Sequence, residues 1–213
     1  MENTSISSEQ WDHLQMYLRN MQIIKYRLKA LHALLDRGLP DPFSLYNCIE
    51  FCVLQIRKIL ELIAFSSLAS DADIYEKQLQ NLKKKWNARL ILNDIERIHP
   101  QFYPHPINIE QGEPIRWLEK EEGFLSREEF ETIYDKCGKF LHEASSFKPD
   151  ADIEYEYDQV RKMLPDWVTL IEELLLVHYV WLYNEDVFLI TLGEQNEPPR
   201  GIILRKESKV KNG

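Results

Sequence analysis

The residues whose types and spacing suit chemistry fall in one stretch, Leu125 to Phe147, LSREEFETIYDKCGKFLHEASSF. It carries Tyr134, Lys136, Gly138 and His142, with Lys139 among them. A histidine can take up or release a proton near neutral pH, and a lysine can offset developing negative charge. Ser126 and Glu129 stand in capping-box spacing, which predicts a helix from there to about Ser145. On such a helix Asp135, Gly138 and Lys139 lie within about 60° of His142, whereas Lys136 is turned away by about 120°. A bend or a second subunit would be needed to bring Lys136 and His142 to one atom.

A second polar group lies on an earlier predicted helix. Glu50, Arg57 and Glu61 recur at seven and four residues, so they form one stripe. That stripe is either a solvated face with an Arg57–Glu61 pair or a face turned to a neighbouring helix.

The elements that must position these groups read as helices. Ser7 and Gln10 form another capping box before a helix from about Glu9 to Asp36, with Leu14, Tyr17, Met21, Ile24, Leu28, Leu31 and Leu35 as a heptad seam. Gly38 and Pro40 end it, and Asp41-Pro42 starts a second helix running to about Ala69. Its apolar face holds Leu45, Ile49, Val53, Ile56, Leu60 and Ile63. A third helix is predicted over about Ala72–His99, with the basic run NLKKKWNAR at its middle and Glu96 and His99 in a single E-x-x-H step. A metal site of that kind needs a second such step, and the sequence has none, so His99 reads as helix-end polarity.

His99 to Pro114 carries four prolines and reads as a loop, either a functional one or a packed one that carries Phe102 and Tyr103 into the core. Ile115–Glu122 reads as a short helix bearing Trp117. After the opening stretch, KPDADIEYEYD reads as a connector. A fifth helix over about Asp152–Tyr183 follows, kinked or split by Pro165, with His178 as a hydrogen-bonded core histidine. Val187–Gly193 and Gly201–Lys206 read as a two-stranded hairpin, which must pack on the bundle or pair with another chain. The expected fold class is all-α: an antiparallel bundle of about five helices over residues 1–183, with a small β-hairpin and basic tail over 184–213.

With 213 residues, 44% of them hydrophobic, the chain can bury a substantial core. A net charge of −9 argues against a general polyanion binder. Cys48, Cys52 and Cys137 make an odd count with no CxxC pair, which fits free thiols in a reducing cytosol. MENTSISSEQ has neither a basic start nor an apolar run, and no apolar stretch reaches the ~18 residues of a membrane span. The expectation is a cytoplasmic protein without a membrane anchor.

The element order resembles the HEPN superfamily of prokaryotic helical bundles over roughly residues 9–183. The residues that carry the resemblance are Arg57 and Glu61 (R-x-x-x-E) on the second helix, then a proline-rich loop, then Tyr134, Gly138 and His142 (Y-x-x-x-G-x-x-x-H) on a later one. Many members of that superfamily are metal-independent ribonucleases of toxin–antitoxin and antiviral systems. They act as dimers, and their R-x(4–6)-H motifs meet in one composite cleft. Other members lack the motif and bind partners or nucleotides. Here Asp135, Lys136 and Cys137 stand where that arginine would be allowed, and Lys136, the one cation, lacks the planar bidentate fork.

The resemblance therefore implies a non-catalytic interaction or accessory protein of a prokaryotic defence or toxin–antitoxin system. One alternative is a divergent metal-independent endoribonuclease, with His142 as general base or acid for attack by a 2′-hydroxyl and Lys136 stabilising charge. Another is a helical domain that binds a nucleotide or other small molecule. Arg57, Glu61, Tyr134 and Lys139 are the binding candidates. The expected partners are a protein or a second copy through the helices, with RNA as a further partner; no metal, cofactor or membrane is expected.

Overall fold

The computed structural model describes residues 6–36, 42–70, 72, 74–75, 87–110, 116–142, 149–194 and 196–205. Helix α1 is Ser8–Leu35, opened by the Ser7/Gln10 capping box that the sequence predicts. Its seam is buried from Leu14 through Tyr17, Met21, Ile24 and Leu28 to Leu31. Helix α2, Pro42–Ser70, packs along α1 with Ile49, Val53, Ile56, Leu60 and Ile63 in the core. Helix α3 is Ala88–Glu96, capped by the Asn87 side chain, which accepts from the Leu90 N–H. Of the longer third helix expected from Ala72, the run Asn81–Trp86 with its three lysines lies outside the described residues.

Helix α4, Arg127–Phe140, begins at the Ser126/Glu129 capping box as predicted, but its C-cap is Leu141 rather than a residue near Ser145. Helix α5 is Asp150–Leu175, so most of the segment expected as a connector is helical. It passes through Pro165 without a break. Pro165 and Arg161, one turn earlier, are both exposed, so the carbonyl left without a donor can turn to water.

The expectation of an all-α bundle with a small hairpin is overturned. The described residues are 62% helix and 15% strand, and the strands form one five-stranded antiparallel sheet in the order β2-β1-β3-β4-β5. These strands are β1 (His105–Glu110), β2 (Arg116–Glu119), β3 (Val177–Trp181), β4 (Val187–Thr191) and β5 (Arg200–Leu204). The expected hairpin is β4–β5, but β4 also pairs with β3 from Val177↔Thr191 to Trp181↔Val187, across the boundary drawn at residue 183. The basic tail, 206–213, lies outside the described residues.

Three segments were misassigned, each for a physical reason. VHYVW follows α5 after a single residue, so its apolar character reads as more helix. Its period is nevertheless two: His178 and Val180 face the helices, and Tyr179 and Trp181 face the other way. The predicted short helix bearing Trp117 is strand β2, paired with β1 from Ile107↔Glu119 to Glu110↔Arg116. The proline-rich loop contains β1. Pro106 is tolerated because it sits where β1 leaves the β3 ladder (His105↔Tyr179, Pro106↔His178) and joins the β2 ladder, where its carbonyl accepts from the Lys120 N–H at 3.0 Å.

The core lies between the helices and the inner face of the sheet. Phe188, Ile190 and Ile203 meet α1 there, and Gly201 has no room for a side chain, since a Cβ would lie 2.7 Å from Ile190 and 2.9 Å from Leu14. Phe102 is buried, which fits the packed alternative for this loop, and the Tyr103 hydroxyl donates to the Leu125 carbonyl at 3.1 Å. His178 is fully buried. Its Nδ1 lies 3.1 Å from the Leu175 carbonyl, to which it donates, leaving Nε2 to accept from the Tyr17 hydroxyl at 2.8 Å. Among the described residues no helix is long and apolar enough to cross a membrane.

Candidate functional site

Helices α2 and α4 lie against each other and bring Arg57 to Tyr134 and Gly138. Tyr134 and Gly138 are one turn apart on α4 and so share a face. The Arg57 guanidinium carbon lies 4.8 Å from the Tyr134 ring centroid, and Nη2 donates to the Tyr134 hydroxyl oxygen at 3.4 Å. The same oxygen accepts from the Ala88 N–H at 3.3 Å, which fixes the start of α3 to α4. Arg57 Nε faces Glu61 Oε1 at 3.5 Å, so the predicted i,i+4 pair exists and is directed at a neighbouring helix rather than at solvent alone. At Gly138 a Cβ would lie 2.8 Å from Arg57 Nη1. The absent side chain is therefore the space that the guanidinium uses.

The remaining candidates sit elsewhere on α4. Lys136 is about 200° round the helix from Tyr134, and its ammonium meets the Met163 sulfur of α5 at 3.7 Å. Asp135 pairs with Arg89 of α3 at 2.7 Å. Lys139 is exposed. His142 lies just past the C-cap, exposed, with its backbone N–H donating to the Lys139 carbonyl at 3.4 Å. Thus the arginine, the tyrosine, the glutamate and the glycine converge, while Lys136 belongs to a different face. Cys137 is buried beneath them as a neutral thiol, its pKa pushed up to about 12, chiefly by burial, with the Arg57 charge opposing.

The residues of the E-x-x-H step are engaged elsewhere. Glu96, from the E-x-x-H step, meets Arg127 at 3.4 Å, and Arg127 also meets Glu131 at 2.9 Å. His99 lies beyond the end of α3, edge-on to the Tyr183 ring, with its pKa lowered by burial. Among the described residues no group of three or more His, Cys, Asp or Glu side chains is placed to hold a metal ion, and the three cysteines are free thiols.

The sequence reading missed the outer face of the sheet. His105 and Tyr179 stack with ring centroids 4.8 Å apart and planes 6° from parallel. Trp117 of β2 stacks on Tyr179, with centroids 6.4 Å apart and planes at 25°, and Trp181 meets Tyr179 edge-on. The Tyr179 hydroxyl donates to the Glu119 carboxylate; burial first, and that hydrogen bond next, push the phenol up to about 12. The signal was present in the alternation of VHYVW and HPINIE, but it appears only once both are read as strands. Compared with known protein families, with curated proteins and with solved structures, the chain matches none.

Proposed function

We propose that the chain is a non-catalytic, HEPN-like accessory protein of a prokaryotic defence or toxin–antitoxin system, acting by holding a protein partner or a second copy of itself. The observation that supports this reading is the engagement of Arg57. Its guanidinium is stacked on Tyr134, paired with Glu61 and seated in the space at Gly138. A cation that stabilises a phosphorane must instead present its donors to the substrate. Lys136, the cation at the position where the arginine of the HEPN motif would be allowed, is turned to Met163 on α5 and does not share Arg57's face.

The test is RNA cleavage in EDTA by the wild-type chain and by His142→Ala. No cleavage by either is expected. Cleavage by the wild type that is lost in His142→Ala would overturn the proposal in favour of a metal-independent ribonuclease. Light scattering across a concentration series separates a second copy from a different protein as the partner.

A further inference from the structure

A cavity of about 480 Å³ opens on the outer face of the sheet, within the range of small-molecule sites. Its origin is the early end of the β1–β3 ladder. The register that pairs His105 with Tyr179 would next bring Pro104 opposite Val180, and proline has no N–H to offer. The chain from His99 to Tyr103 turns away instead, through the Phe102 N–H to His99 carbonyl bond, and leaves space beside Trp181. Trp117, Trp181, Tyr183 and His99 line that space, with Val187 and Leu204 as apolar floor.

We propose that this cavity is a binding site for a small, uncharged, planar aromatic molecule, seated against Trp117 as the next ring of the His105–Tyr179–Trp117 stack. Three observations lead there. The stack ends at Trp117, which is 45% exposed and lines the cavity, so an indole face at its end is available to a further ring. The lining carries one acid, Glu185, and one base, Arg205, so the site has no charge excess to select an ion. The net charge of −9 also disfavours an anionic ligand such as a phosphate ester. Gln101 at the wall offers both a donor and an acceptor to orient a ring heteroatom. The site lies on the sheet rather than at the α2–α4 contact, so it stands or falls independently of the role given to Arg57.

The test is isothermal titration calorimetry of the full chain with indole, with cyclohexanol as a non-planar probe and 1-naphthyl phosphate as a charged one. One-to-one binding of indole is expected, with both other probes at least about tenfold weaker. Trp117→Ala should weaken indole about tenfold, the scale of one lost aromatic stack, and Trp117→Phe should restore most of it. Trp117 is half exposed on an edge strand, so a melting curve should show the variants folded. Leu204→Trp, which fills the cavity from another strand, should abolish binding. No saturable heat with indole at millimolar concentration, equal affinity for cyclohexanol, or unchanged affinity in Trp117→Ala or Leu204→Trp would overturn the proposal.

Discussion

Arg57 and Gly138 interlock: the guanidinium Nη1 lies 2.8 Å from where a Cβ at position 138 would stand. Glycine within a helix costs about 1 kcal/mol relative to alanine, so its presence at this position is offset by what the arginine gains on Tyr134. Gly138→Ala should therefore be close to neutral, because its gain in helix propensity is cancelled by displacing Arg57. In an Arg57→Ala background the same change should stabilise by about 1 kcal/mol. Denaturant unfolding of the four chains of this double-mutant cycle measures the coupling directly. Additive effects would mean that the two residues do not share space.

His178 gives a pH signature of its own. Burial lowers its pKa from 6.5 to about 4, with the Leu175 carbonyl opposing. Between those values the unfolded chain binds a proton that the folded chain does not, so stability falls as pH drops from about 6.5 to about 4 and is fully present above 6.5. The full swing is roughly 3 kcal/mol, from 1.36 kcal/mol per pKa unit. Tyr17→Phe should cost about 1–3 kcal/mol at pH 7, since it leaves Nε2 buried without its donor. Urea titrations of wild type and His178→Gln from pH 4 to 7.5 check the slope, which should flatten in the variant.

What could be read in the sequence follows the length of each element. The α1 seam runs through about five turns, and its 3.5-residue spacing is unambiguous from Leu14 to Leu31. The capping boxes at Ser7 and Ser126 locate two helix starts because each needs only four residues. Strands of four to six residues give too few periods to be distinguished from a helix end, and β3 follows α5 after only one residue. At the candidate site, the spacing placed Arg57 with Glu61 and Tyr134 near Gly138, and only the resemblance to the HEPN superfamily related the two sets. Neither showed that Gly138 is a steric notch, because the approach of a second helix is a tertiary fact. The aromatic stack depends on two strand pairings, the β1–β2 hairpin and the β1–β3 ladder, and the second joins residues more than seventy positions apart.

Lys25 fastens the β4–β5 connection to α1. Its ammonium donates to the carbonyls of Leu192 at 2.9 Å, Gly193 at 2.8 Å and Glu197 at 2.6 Å, and to that of Glu194. Gly193 has φ 74°, where glycine is favoured, and a Cβ there would also lie 3.1 Å from the Pro198 carbonyl. Lys25→Met keeps the length of the stem but removes all of the donors. It should cost roughly 1–3 kcal/mol and speed amide exchange in the described part of residues 192–199, with α2 unchanged. Lys25→Arg should not restore protection, because a planar guanidinium cannot reach carbonyls arranged around a point charge. Equal exchange in Lys25→Met and wild type would show that the turn is held by other contacts.

Pro165 offers the clearest route to a more stable chain. It sits within α5, exposed, with buried Leu164 before it and buried Trp167 and Val168 after it. Packing of those neighbours keeps the helix continuous although a proline in a helix interior costs about 3 kcal/mol. Alanine at that position restores the N–H, relieves the clash with the preceding turn and touches no buried contact. Pro165→Ala should therefore stabilise by about 1–3 kcal/mol, which for a chain of this size raises the melting temperature by roughly 2–4 °C per kcal/mol. Thermal unfolding by circular dichroism reads it. A lowered melting temperature would mean that α5 needs the proline's bend to seat Trp167, and that the helix is not merely tolerating it.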